Sequence, residues 1–254
     1  MSESTFGDTS IVPARQRFET DTDWLTSRHS FSFGHHYDPA NTHFGCLLVN
    51  NDDVVLPGTG FDTHPHRDME IVTWVLSGSL VHQDSEGNNG VIYPGLAQRM
   101  SAGHGILHSE RNDSWRLTGN SAHDEPVHFI QMWVRPDENG LDPGYEQRDI
   151  NDELATGELV VVASGLARHR SSTAIRIAQR DAGLHAGRLA PGATTRLPDA
   201  RLLHVFVARG AVTLGKRELV EGDSARLVDS GGISLAAGPI GAEVLVWEMN
   251  AATR

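Results

Sequence analysis

Hydrophobic positions along this chain come in short runs that alternate with polar residues, and no apolar period of 3.6 residues is sustained anywhere. Turn formers punctuate the runs every ten or so residues, which predicts strands joined by tight turns. In the first half the strand candidates are residues 28–33, 45–50, 53–56, 69–76, 79–83, 90–93, 98–101, 105–108 and 127–134. That number suffices for a closed barrel. A charged, turn-rich stretch at 135–144 reads as a linker. Beyond it a second series follows at 159–163, 174–178, 183–189, 203–208, 211–214, 224–227, 233–236 and 242–248. Each half holds a strand, a glycine turn and another strand, around Gly78 in the first and Gly210 in the second. The pattern predicts an all-β protein of two related halves, residues 1–140 and 141–254.

Composition narrows the function classes. The chain has 254 residues, 26 Gly and 11 Pro, and a formal charge of -12. With no Lys/Arg-rich stretch to offset that charge, a nucleic acid is not expected as a direct partner. Cys46 is the only cysteine, so no intrachain disulfide can form and a reducing, cytoplasmic setting is expected. No apolar run approaches the roughly 18 residues of a spanning helix, and the polar start lacks the order of a signal peptide, so no membrane partner is expected.

Two segments carry chemistry: His64-Pro65-His66 with Glu70 after it, and His108-Ser109-Glu110. Residues i and i+2 on a strand share a face, so each segment can aim two donors the same way. Imidazole and carboxylate are the usual ligands of divalent first-row metals. A chain with 14 His shows about one H-x-H by chance, so the framing matters more than the pair. Glycines 58 and 60 precede the first segment and the apolar run from Ile71 to Leu76 follows it; Gly103 and Gly105 precede the second. Glu70 shares strand parity with His64 and His66, which leaves Glu70 and Glu110 both open as the carboxylate donor. In residues 28–33 the alternation puts His29, Phe31 and Phe33 on one face, and His29 reads as a barrel-wall residue. Nine of the 14 His lie between His29 and His108. In the second half no H-x-H precedes Gly210, and His185 and His204 stand isolated, so no metal is expected there.

The stretches Gly60 to Glu70, Val75-Leu76-Ser77-Gly78 and Met100 to Glu110 together resemble the pirin family of the cupin superfamily. His82 to Asn88, Ser30-Phe31-Ser32-Phe33 and Tyr37-Asp38-Pro39 are similar to bacterial members that cleave quercetin. The resemblance implies a bicupin, with two β-barrels face to face, a metal in the N-terminal barrel and a degenerate C-terminal barrel. Carried over by position, the implied ligands are His64, His66, His108 and Glu110. Fe(II) is the metal most often associated, with Ni, Co, Mn, Cu or Zn as alternatives. Other cupins commonly carry one more residue before the glutamate of their first segment, so the pirin pattern favours Glu110 over Glu70. His104 occupies a position the family fills variably and reads as a mouth residue. The implied activity is a dioxygenase that opens the heterocycle of a flavonol such as quercetin with O₂, releasing carbon monoxide. Glu110 is then the base for the 3-hydroxyl, and Phe31, Phe33, Phe61 and Met100 are pocket candidates. The competing implication is an iron-dependent redox sensor acting through a regulatory protein partner. A monomer is expected in either case.

Overall fold

Alternation along the strands decides which side chains face inward, and the architecture follows. A computed structural model describes residues 9–230 and 232–250. The first half forms a seven-stranded antiparallel sheet facing a four-stranded one. The larger sheet includes Leu47–Val55, Glu70–Ser77, Leu96–Ser101 and Val127–Val134; the smaller one includes Gly60–His66, Leu80–Asp84 and Ile106–Arg111. The second half is one curled nine-stranded sheet. Its long strands Leu202–Leu214 and Ser234–Met249 pair along their length, with register shifts at Val207/Arg209 and Gly210/Val212 that bend them around the barrel. Helix is confined to short turns such as Trp115–Thr118 and Asn151–Leu154, and no helix among the described residues is long and apolar enough to cross a membrane.

The two barrels pack sheet against sheet. Phe31, Cys46, Leu47, Trp74 and Met132 from the first meet Val162, Leu184, Phe206, Leu245 and Trp247 from the second in one buried core. Each large apolar side chain removed from water there contributes about 1.5–3 kcal/mol. Two polar groups caught in the interface are paired across it: Trp74 Nε1 donates to Glu243 Oε1 at 2.8 Å, and Arg209 donates to the Leu76 carbonyl at 2.8 Å. The halves also exchange edges. Thr9–Val12 pairs with Ser224–Val228 of the second sheet, and Gly144–Asp149, which begins at the last residue of the stretch 135–144, pairs with Leu96–Ser101 of the first.

Three local expectations are corrected. Residues 45–50 and 53–56 belong to one strand, Leu47–Val55, because Asp52 in its middle is held by Arg17 at 2.9 Å and His128 at 2.6 Å rather than turned to solvent. The strand expected over 28–33 ends at His29. Beyond it Phe31 enters the core between the barrels, whereas Phe33 stacks on His29 and meets Trp133. His29 itself is buried and bonded to Thr20 and Asn51, as a wall residue should be.

His204 is fully buried beside Phe31 and Arg226, and neither ring nitrogen has a hydrogen-bond partner. Burial, with the Arg226 charge nearby, drives its pKa down to about 3. Between that value and the ordinary 6.5 only the unfolded chain takes up the proton, so stability falls as pH drops through this window, by about 1.4 kcal/mol per unit. A His204→Met variant lacks this dependence. Urea midpoints at pH 6.5 and pH 5 should therefore favour the variant by about 2 kcal/mol more at the lower pH. Parallel curves would show that His204 does not titrate in this way.

Candidate metal centre in the first barrel

The interior of the first barrel changes from apolar to polar and back along its strands. Val75, Phe129 and Leu80 fill one end with Leu25 and Val55; Ile71, Met100 and Ile106 fill the other. Between them Thr73, Gln131, His82, His108 and Glu110 are all buried. Pairing of Ile106–Arg111 with Gly60–His66 sets His108 opposite His64 and Ile106 opposite His66. The ring centroids of His64, His66 and His108 lie 4.5–4.9 Å apart. Their donor nitrogens fall within 4.8 Å of one another.

Hydrogen bonds fix which nitrogen each ring offers. His64 Nδ1 lies 2.7 Å from the Asp62 carbonyl, which can only accept, so Nδ1 carries the proton and Nε2 is the free donor. His108 is set by a longer relay. His82 Nε2 lies 3.1 Å from Asp84 Oδ2, and His82 Nδ1 lies 3.4 Å from His108 Nδ1. With the His82 proton on Nε2, its Nδ1 accepts from His108, whose Nε2 is left as a bare lone pair. That atom is buried and has no partner. Burial raises the Asp84 carboxyl, but hydrogen bonds from His82 and Asn88 outweigh it and hold the group below its ordinary value. Burial and the neighbouring rings push His66 down to about 4 and His108 down to about 3, so both stay neutral near pH 7. Neutral imidazoles aimed at one point, one of them with an orphaned nitrogen, suit a divalent cation.

Glu110 falls in a second, overlapping set with His82 and His108. It shares a face of its strand with His108 and pairs opposite His82, one step further into the barrel. There Gln131 Nε2 donates to Oε2 at 2.6 Å and Thr73 donates to Oε1 at 3.4 Å. Glu70 lies elsewhere. A turn with Asp68 at φ 49° separates it from His66, so the two sit on different strands and the parity argument fails. Its carboxylate takes a hydrogen bond from Ser101 at 2.8 Å and lies 3.9 Å from Arg99. His104 is exposed in its turn, 3.9 Å from Asp142.

Of the four pocket candidates, Phe61 lies 6.3 Å from His64 and Phe33 packs against Trp133, which meets His66 edge-on at 4.9 Å. Phe31 and Met100 belong to the cores. Beside His66 a cavity of about 470 Å³ opens along Pro65, Ile106 and Leu107. Sequence reasoning missed Trp133, Gln131, His82, Asp84 and Tyr145, which stacks on His82 at 4.8 Å. Phe129, Gln131 and Trp133 share one parity on a strand that was legible, and His82 and Asp84 form an i, i+2 pair; Tyr145 gave no signal. His185 is not isolated: it bonds Glu248 at 3.0 Å.

The chain is similar to several known proteins. Residues 11–134 match the pirin family model, and 161–249 match a quercetinase C-terminal cupin domain. A Mycobacterium tuberculosis protein whose name, quercetin 2,3-dioxygenase, is provisional is 57% identical over 95% of both chains. An Escherichia coli quercetin 2,3-dioxygenase is 49% identical over 53% of this chain and 55% of its own length. The crystal structure of YhhW from Escherichia coli superposes with a TM-score of 0.84 at 34% identity, covering 97% of this chain and all of the other. Another structure of that protein, described as a bacterial pirin in complex with nickel(II), gives 0.83 at 33% identity over 96% of this chain and all of the other.

Gly60 supports the site from outside it. At φ 152° a Cβ there would stand 2.2 Å from the Glu110 carbonyl oxygen, so the strands bearing His64 and His108 must separate to admit it. Gly60→Ala should lose about 2 kcal/mol or more in urea unfolding. An unchanged midpoint would mean that the strands tolerate the separation.

Proposed function

We propose a function from one premise: the chain belongs to the pirin family. We infer that it is a metal-dependent dioxygenase cleaving the heterocycle of a flavonol such as quercetin, with O₂ as co-substrate and carbon monoxide released. In this reading the metal-binding barrel lies within residues 1–140 and the linker and second barrel within 141–254, apart from the exchanged edges Thr9–Val12 and Gly144–Asp149. His64, His66, His108 and Glu110 hold the ion, with Fe(II) favoured. The observation that carries the proposal is the buried, partnerless Nε2 of His108 facing the other two imidazoles. The names of the relatives support the substrate class.

When bound, the ion supplies Lewis acidity, lowering the pKa of the flavonol 3-hydroxyl and polarising the 4-carbonyl. The chain's own residues do the rest. Gln131 fixes Oε2 of Glu110, leaving Oε1, with only the long bond from Thr73, to accept the 3-hydroxyl proton. Trp133 holds His66 in place and, with Phe33 packed on it, presents an aromatic wall beside the ligands.

Purified protein loaded with Fe(II) should bleach quercetin's near-visible absorbance with O₂ uptake. His66→Ala should empty the site by elemental analysis, whereas Glu70→Ala should leave it filled. Glu110→Gln should keep most of the metal and slow turnover ~10²-fold or more. Metal-replete protein that leaves quercetin untouched with every first-row ion, yet captures a protein partner according to its oxidation state, would replace the enzyme reading with the regulatory one.

A further inference from the structure

The second barrel contains a donor cluster that the proposed flavonol chemistry does not use. Along Ser234–Met249, Leu245, Trp247 and Met249 face the core between the barrels, whereas Val244 and Val246 face the interior of the second barrel, and Glu248 shares their parity. On Ala182–Leu189, Leu184 and Ala186 face the inter-barrel core and His185 lies on the opposite face. The short turn Ala167–His169 brings a third donor over them. Glu248 Oε1 lies 3.0 Å from His185 Nε2 and 3.3 Å from His169 Nε2, and the three donors fall within 4.8 Å of one another.

The outer atoms of this set are already occupied. Arg168 holds Glu248 Oε2, and Ser164 Oγ lies 3.0 Å from His169 Nδ1, so the carboxylate and that ring are fixed with Oε1 and Nε2 turned to one another. Glu248 is almost completely buried, and the cluster lines a cavity of about 370 Å³ with Leu159, Arg196, Pro198 and Asp199. Two imidazoles and one carboxylate leave open positions on a metal, and here those positions would face the cavity. A salt-bridge cluster pinning the Ala167–His169 turn to the barrel would use the same contacts. The two readings part when a metal is offered.

We propose that His169, His185 and Glu248 form a second site for a divalent first-row transition ion, in the C-terminal barrel and independent of the first. The sequence-based expectation of a metal-free second barrel rested on the absence of an H-x-H, whereas these donors come from three separate segments.

The test is Co(II) binding by the full-length protein, measured by equilibrium dialysis with elemental analysis. Wild type should bind two equivalents per chain, and His66→Ala/His108→Ala, which removes the first set, should retain one. Adding Glu248→Gln to that variant should weaken the remaining site at least tenfold. If that triple variant does not fold, His169→Ala, on the surface turn, should give the same loss in its place. One Co(II) in wild type and none in His66→Ala/His108→Ala would overturn the second site, as would a retained ion indifferent to Glu248 and His169. Failure of the first site instead appears as one ion in wild type and one in the double variant, so the two readings fail separately.

Discussion

Three imidazole rings with centroids under 5 Å apart cannot all take a second proton and become charged. Each added charge would repel the others and lose its hydration, and this constraint organises the first barrel. His66 and His108 are driven far below the ordinary histidine range and remain neutral, so their nitrogens keep lone pairs. Lone pairs aimed at a common point do not stabilise one another; a cation among them does. The Asp62 carbonyl and the Asp84–His82 relay then decide which nitrogen turns inward.

The rest of the barrel holds that arrangement in register. A one-residue slip between Gly60–His66 and Ile106–Arg111 would carry His108 to the opposite face, so the pairing of His64 with His108 must be pinned. The close approach at Gly60 and the apolar layers on either side of the polar belt do the pinning. Packing against the second barrel then covers the back of the seven-stranded sheet, where Trp74 would otherwise be exposed, and buries Trp247 of the facing sheet with it.

Much of this was legible in the sequence, and what was not has physical reasons. The H-P-H and H-S-E segments could be read because ligands at i and i+2 on one strand leave a local signature. Strand Val127–Val134 could be read because its run is bounded by polar loops on both sides. Glu70 misled, since parity holds within a strand and Asp68, at positive φ, breaks the strand before it. The polar pair Asn51-Asp52 fell between two expected strands, but Arg17 and His128 hold Asp52 from other segments. Tyr145 lies just past the stretch read as linker, yet its strand closes the edge of the first sheet. His169, His185 and Glu248 meet only through long-range pairing, which no local pattern encodes.

The central claim is that the first barrel offers Nε2 lone pairs, with the Nδ1 protons of His64 and His108 held by the protein. ¹⁵N NMR of histidine-labelled protein, before and after one equivalent of Zn(II), tests it most directly. The account predicts that Nε2 of His64 and His108 shifts on metal addition while Nδ1 of both stays protonated throughout. Coordination through Nδ1, or imidazole signals unmoved by the metal, would contradict it.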